Sequence, residues 1–247
     1  MLRLTHLTFA CEDPQRLCAF WAEVLGYDAE RGGDDWFVRG EPELRFAPMP
    51  KSPTIEVPIH LDLNTPDRDA EVERILGLGA RLVVTKTHSV GEVSESCTVM
   101  RDPEGNGFCV QGPDERKGRT YLRNVTFACA EPPQLATFWS EATGWPVEEI
   151  PEEFFDQLRA AGIDERELDA YAAITATDGS LLRFLFQRRQ KTPTESIPLH
   201  PDFRTGDREG EIERLVALGA AVKETKHARD RIWTVMRDPE GNAFCVE

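Results

Sequence analysis

A histidine followed two residues later by an aspartate occurs twice, each time in a segment that resembles a short β-strand. The segments are "IHLDL", with His60 and Asp62, and "LHPDF", with His200 and Asp202. Because alternate residues of a strand point to the same face, each pair brings an imidazole and a carboxylate within reach of each other. Such a pair suits metal-free acid/base catalysis or hydrogen bonding, and the aspartate could also orient a metal-bound histidine. These four residues are our candidate catalytic residues.

The two pairs belong to an internal duplication that covers nearly the whole chain. "VMRDPEGNGFCV" recurs at the C-terminus as "VMRDPEGNAFCV", and "LTFACEDPQRLCAFW" recurs as "VTFACAEPPQLATFW". A repeat of about 120 residues is a domain and not a solenoid unit. We therefore predict one domain over residues 1–112 and a second over 120–247, joined by a charged linker at 113–119.

The second repeat carries an insertion, at about residues 148–174, that the first repeat lacks. Its sequence predicts a helix that begins at Pro151 and ends at Gly162, followed by a second turn or helix from Asp164. Its apolar edge must cover something, and a lid over a ligand, a strut between domains and a dimer contact are all compatible with it.

The composition excludes several kinds of partner. The chain of 247 residues has a net charge of -15, which repels nucleic acid and anionic membranes. It has no apolar run long enough to span a membrane and its N-terminus lacks the layout of a signal peptide, so we expect a cytoplasmic location. Its six cysteines occur singly, as expected for core thiols.

Each repeat contains two modules with the order strand, helix, strand, strand, strand. The first helix is predicted from Asp13, as its cap, to Gly26, and a second helix is predicted from about Thr65. "DPEGN" is predicted to form the turn between the last two strands of each repeat. Pro201 interrupts a strand of the second repeat, which favours a sheet edge or a bulge there.

This order of modules, together with "FWAEVLGY", "HLDL" and "DPEGNGFCV", resembles the glyoxalase and bleomycin-resistance group of the vicinal oxygen chelate superfamily. The resemblance implies an α+β fold of two tandem domains. Each domain would contain two paired βαβββ modules, whose curved mixed sheets form a cup around a ligand. The fold alone does not imply one reaction.

In the metal-dependent members of this superfamily, the ligands come from the first and last strands of each module. His6, His60 and Cys109 fall at such positions, and two imidazoles with a thiolate suit zinc better than iron or manganese. The remaining position falls near Glu43. In the second repeat, Asn124 stands in place of His6. The resemblance thus leaves a divalent metal, zinc above all, as an option for the first domain only.

Four further residues are candidates for the walls of a ligand pocket. Trp36 and Trp233 lie in predicted strands, and aromatic faces often line small-molecule sites. Cys245 and Gln187 are expected near His200 in the second repeat.

Three functions are compatible with these residues. The leading hypothesis is a small-molecule-binding protein whose cups lack a full metal site, since cysteine replaces the glutamate of the family pattern in both copies. The alternatives are a metal-free enzyme that uses His60 with Asp62 or His200 with Asp202, and a metal-dependent lyase, isomerase or dioxygenase that uses His6 and His60. The expected partner is a small molecule, and a homodimer is one option for assembly.

Overall fold

The computed structural model describes residues 1–49, 58–90, 93–149, 169–189, 198–228 and 231–247, and the side chains of 88–90 and 93–95 are not among the described features. The first repeat contains β1 (Arg3–Cys11), α1 (Pro14–Leu25), β2 (Ala29–Gly32), β3 (Asp35–Val38), β4 (Glu43–Pro48), β5 (Ile59–Asn64), α2 (Arg68–Gly77), β6 (Arg81–Val90), β7 (Val93–Arg101) and β8 (Gly107–Gly112). The second contains β9 (Tyr121–Cys129), α3 (Pro132–Thr143), β10 (Tyr171–Thr175), β11 (Arg183–Arg188), β12 (Leu199–Arg204), α4 (Arg208–Ala217), β13 (Ala221–Ala228), β14 (Arg231–Arg237) and β15 (Ala243–Val246).

Local signals explain where the helices begin and end. The side chain of Asp13 accepts a hydrogen bond from the N–H of Arg16, and Gly26 ends α1 in the left-handed conformation with φ of 67°. The second helix begins slightly later than expected, because Asp67 and not Thr65 caps its first turn. These elements and the two mixed sheets confirm the predicted α+β fold.

Each sheet combines modules from both repeats. The eight-stranded sheet has the order β13-β14-β15-β12-β1-β4-β3-β2, and the seven-stranded sheet has the order β10-β11-β9-β5-β8-β7-β6. The first strands of the modules form the joins, because β1 pairs antiparallel with β12 and β5 pairs antiparallel with β9. The expectation that each repeat forms a cup from its own two modules is therefore corrected. The duplication shows which modules are linked along the chain, but it carries no signal for which first strands pair.

Pro201 lies in a central strand and not at a sheet edge. It is in register with Leu7 of β1, and the register shift in that ladder falls at Thr5, between Leu4 and His6. Because Pro201 has no N–H, its effect is expected in the pairing of β12 with its other neighbouring strand, β15. The ladder with β15 begins only at Asp202, whereas the equivalent ladder of β5 with β8 begins one residue earlier, at Leu61.

Most of the expected insertion lies outside the described residues, which resume at 169. Its final part, Tyr171–Thr175, forms strand β10 and not a helix. Val147 makes an isolated antiparallel bridge to Ile174 of this strand. In the first repeat, three strands, β2 to β4, follow the first helix. In the second repeat, the bridge at Val147 and the strands β10 and β11 take their place.

The core lies between the sheets and joins the two modules of each repeat. Trp21 on α1 is 1% exposed, and its ring centroid lies 5.6 Å from Phe9 on β1 and 5.2 Å from Phe108 on β8. Each repeat is thus packed together through its core, while each sheet is shared between the repeats. Among the described residues, no helix is long and apolar enough to cross a membrane.

The "DPEGN" turn fastens the first helix of its own repeat. Asp102 is fully buried and accepts hydrogen bonds from the indole N–H of Trp21 at 3.3 Å and from the backbone N–H groups of Glu104 and Asn106. The side-chain amide of Asn106 donates a further hydrogen bond to Asp102 at 2.7 Å. This one carboxylate therefore fixes both the turn and a core tryptophan.

The glutamate of the same turn binds the start of the helix. The carboxylate of Glu104 accepts from the backbone N–H groups of Glu12 at 3.0 Å and Asp13 at 2.8 Å. The second copy makes the same contacts. Asp238 accepts a hydrogen bond from the indole N–H of Trp139, and the carboxylate of Glu240 accepts from the backbone N–H groups of Ala130 and Glu131 at the start of α3. Each copy of the motif therefore attaches the first helix of its own repeat.

We predict that Asp102→Ala lowers the free energy of unfolding by about 3 kcal/mol, because it leaves several buried donors without an acceptor. Urea denaturation followed by circular dichroism measures the change. The control is Asp34→Ala at an exposed position, where we expect a change below about 0.5 kcal/mol. Equal effects of the two substitutions would contradict the role of the turn.

Candidate functional site

Site II is a polar cluster on the seven-stranded sheet, formed by His60, Asp62, Cys109 and Asn124. The Nε2 atom of His60 lies 3.3 Å from Oδ1 of Asp62, and Cys109 of β8 is in register with that aspartate. The other carboxylate oxygen of Asp62 accepts hydrogen bonds from Asn124 at 3.0 Å and from Thr126 at 2.6 Å. Both donors belong to β9, so the cluster requires the second repeat.

Site I is the equivalent cluster on the eight-stranded sheet, formed by His6, His200, Asp202 and Cys245. The Nε2 atom of His200 lies 3.3 Å from Oδ1 of Asp202, and Cys245 of β15 is in register with that aspartate. Thr8 of β1 donates a hydrogen bond to the second oxygen of Asp202, and His6 Nε2 lies 4.0 Å from the same oxygen. This cluster therefore requires the first repeat.

Both aspartates are held in the charged form. Burial alone raises the pKa of an aspartate, but at Asp202 the charge of His200 and the hydrogen bonds at the carboxylate outweigh burial and lower its pKa to about 2. The pKa of Asp62 is likewise lowered, against the effect of burial, by His60 and by its hydrogen-bond donors. Each site therefore presents a buried anion beside an imidazole at neutral pH.

Burial favours the uncharged form of the other titratable groups in the sites. It lowers the pKa of His6, although Asp202 acts in the opposite direction. The pKa of Cys109 is raised by a hydrogen bond with Cys97 and by burial, and the pKa of Cys245 is raised by burial and by Asp202. Both cysteines are therefore thiols at neutral pH when no cation lies beside them.

Several polar atoms in the two sites are buried without a hydrogen-bond partner among the described residues. They are Nε2 of His6 and Nδ1 of His200 in site I, and Oδ1 of Asp62 and Oδ1 of Asn124 in site II. Buried polar atoms are hydrogen-bonded as a rule, so these four call for a partner that the described residues do not supply.

The structure does not bring together the three residues that we predicted as one metal set. His6 lies on the eight-stranded sheet, whereas His60 and Cys109 lie on the seven-stranded sheet. The cause is the pairing of first strands across the repeats. Glu43 does lie beside His6, with Oε1 at 3.5 Å from Nδ1, but its carboxylate is also bonded by Arg39.

Two other donor sets have geometry that fits a metal ion. The donor atoms of His60, Asp62 and Cys109 lie within 4.8 Å of one another, and so do the equivalent atoms of site I, from His200, Asp202 and Cys245. An imidazole, a carboxylate and a thiolate are all ligands of zinc. Each set supplies three donors, one fewer than the four ligands that zinc usually takes.

Of the two candidate wall tryptophans, only Trp233 lies on a site face. Trp36 packs against the hydrophobic core, in register with the fully buried Phe46. The next residue, Phe37, contacts His6 edge-on at 6.4 Å between ring centroids. Trp233 shares its strand face with Val235, which is in register with Cys245.

The last predicted wall residue, Gln187, is turned toward a neighbouring strand. Its amide donates to the hydroxyl of Tyr171 at 3.1 Å, and its register partner on β9 is Ala128. Gln187 thus lies four residue pairs along the ladder from Arg183, whose register partner is Asn124.

Sequence reasoning placed Arg183 near the second-repeat site, but it gave no role to the threonines of the sites or to Arg45. Thr8 and Thr126 occupy equivalent positions in "LTFAC" and "VTFAC", and that recurrence was a usable signal. Arg45 of site I, in register with Thr8, lies 2.7 Å from Asp35 and 3.9 Å from Asp202. No local pattern marks it, because its contacts depend on the packing of three strands.

The comparisons with known proteins agree with this architecture. A family model described as "Glyoxalase-like domain" matches twice, over residues 6–111 and 124–247. No curated protein matches the chain.

Solved structures with the same fold cover nearly the whole chain. Glyoxalase I from Zea mays is 15% identical with a TM-score of 0.68, over 100% of this chain and 92% of that one. A putative dioxygenase from Bacillus subtilis subsp. subtilis str. 168 is 12% identical with a TM-score of 0.63, over 98% and 84% of the two chains. Identities this low show the fold alone, whereas the two matches to the family model cover most of the sequence. The chain belongs to the glyoxalase-like domain family, with the domain present in two tandem copies.

Proposed function

We propose that the chain is a small-molecule-binding protein whose ligand contacts the polar clusters of site I and site II. The observation that carries this proposal is the set of buried polar atoms that have no hydrogen-bond partner among the described residues, at His6, Asp62, Asn124 and His200. A small polar molecule between these side chains would supply the missing hydrogen bonds.

The fixed aspartates would give such a ligand a defined environment. Asp62 and Asp202 are each 2% exposed and each is bonded by a threonine of the other repeat. Their imidazole neighbours, His60 and His200, are therefore oriented before the ligand arrives, which lowers the entropic cost of binding.

A metal-assisted activity is the second candidate, and the three-donor sets favour it. His60, Asp62 and Cys109 would hold a zinc ion at site II, and His200, Asp202 and Cys245 would hold one at site I. A bound zinc ion would supply Lewis-acid polarisation of a ligand oxygen. The aspartate and thiol that contact it would need their anionic forms, which makes metal binding dependent on pH.

Metal-free catalysis is the third candidate, with His60 or His200 as the proton-transferring group and its aspartate as the orienting partner. The similar structures named as a glyoxalase I and as a putative dioxygenase share only the fold, so they do not choose among the three. A cytoplasmic location and a homodimer stay predictions from the sequence.

For the binding proposal, we predict that small polar ligands raise the melting temperature of the protein and that His200→Ala or His60→Ala reduces this shift. A ligand at one hundred times its dissociation constant adds about 2.7 kcal/mol of stability, and a tenfold loss of affinity removes about half of that gain. Thermal unfolding across a panel of carboxylates, diols and hydroxy acids measures the shift.

The matched control is His227→Ala, at an exposed position on β13, which should leave the shift unchanged. If ligands stabilise all three variants as strongly as the parent protein, binding does not involve the two clusters. If no member of a broad panel stabilises the parent protein, the binding proposal fails.

For the metal candidate, we predict that purified protein without an affinity tag binds about one zinc ion at each site, and that Cys109→Ser and Cys245→Ser each remove one. Elemental analysis after dialysis against zinc measures the content. Loss of both ions in either single variant, or no bound zinc in the parent protein, would contradict two separate three-donor sites.

A further inference from the structure

Two arginines beside site II replace uncharged or acidic residues of site I. Arg183 is in register with Asn124, whereas the equivalent partner of His6 in site I is Glu43. Arg123 is the extra residue where the register of β9 with β5 shifts, and the extra residue at the equivalent shift in β1 is Thr5. The two sheets share one scaffold but differ in charge at this place.

The guanidinium of Arg123 is buried and anchored at one end. Its side chain belongs to a residue that is 9% exposed, and Nη1 donates a hydrogen bond to the backbone carbonyl of Leu181. Leu181 has φ of 67°, a left-handed conformation that is unfavourable for leucine. A strained turn thus holds one end of Arg123 in place, while Nε has no acceptor among the described residues.

Arg183 is anchored in a similar way. Its Nη2 atom donates to Glu148 at 2.6 Å, and Glu148 also accepts from the hydroxyl of Thr175. The buried Nε atom of Arg183 has no acceptor within the described part of the chain. Each arginine therefore has one bonded end and one buried donor without an acceptor among the described residues.

The charges around the pair do not cancel. Of the two arginines, only Arg183 is hydrogen-bonded to Glu148. The nearby Arg116 forms a salt bridge with Asp114 at 2.5 Å, so the charge of Asp114 is already paired. Burial, together with the positive charges of Arg183 and Arg116, lowers the pKa of Arg123 to about 10. A further anion beside Arg123 and Arg183 would relieve this repulsion.

We infer that Arg123 and Arg183 form an oxyanion-binding subsite next to site II, which takes the carboxylate or phosphate group of a small organic ligand. Guanidinium groups match such oxygens in geometry and charge, and buried N–H donors without an acceptor are costly. The register of Arg183 with Asn124 places the rest of the ligand toward Asn124 and Asp62. This inference rests on the proposed function only in treating site II as a ligand site.

The test uses the full chain with inorganic phosphate and, separately, with acetate, at constant ionic strength set by chloride. Calorimetric titration and thermal unfolding measure the affinity of each anion. We expect Arg123→Gln and Arg183→Gln each to weaken binding of the preferred anion at least tenfold, and Arg123→Lys to retain part of it. Arg188→Gln is the matched control, because that arginine is exposed on the same strand as Arg183.

The preference between phosphate and acetate distinguishes the two kinds of oxyanion. Unchanged affinity in both glutamine variants, or no binding of either anion to the parent protein, would overturn the subsite. If Arg123→Gln does not fold, Arg183→Gln and Arg123→Lys decide the question. His60→Ala separates the two proposals. If this variant no longer binds the neutral ligands of the panel, the binding role of site II is supported. The arginine variants test the oxyanion subsite alone.

Discussion

The hydrogen bond from a threonine of one repeat to a buried aspartate of the other is the interaction on which both sites depend. Thr126 bonds Asp62, and Thr8 bonds Asp202. A carboxylate this deeply buried is stable only with donors around it, and the nearest donors lie on the antiparallel strand of the other repeat. A slip of one residue in either strand pairing would turn these threonines toward the core and leave the aspartates without them.

The two sites show how one scaffold can carry different chemistry. Site I places His6 where site II has Asn124, and Arg45 faces site I at a position that Leu185 occupies in the other sheet. The shared part is the histidine, aspartate and cysteine of the second module, which come from "HLDL" or "HPDF" and the "NxFCV" strand. The variable part comes from the first module, so differences between the sites trace to the strands that the other repeat contributes.

Local signals made the elements predictable, and non-local pairing limited what could be predicted about the sites. Asp13, Gly26 and the alternation in "LTFAC" act over a few residues, and the contact of His60 with Asp62 follows from their positions on one strand. The surroundings of His6 depend on which strand pairs with β1. The first strands of the two second modules, β5 and β12, have similar sequences, so the sequence did not show that β12 is the partner. The insertion showed the same limit, since its last residues pair as a strand with β11 despite a helical pattern nearby.

The sharing of each sheet between the repeats has a consequence for a chain cut within the linker. A single repeat would keep its core contacts but would expose the backbone edges of β1 and β5, which the other repeat normally covers. Open edges of this kind recruit strands from other molecules. The tandem chain is in this respect a dimer of repeats whose partner is supplied at high effective concentration by residues 113–119, so that its edges close within one molecule at any protein concentration.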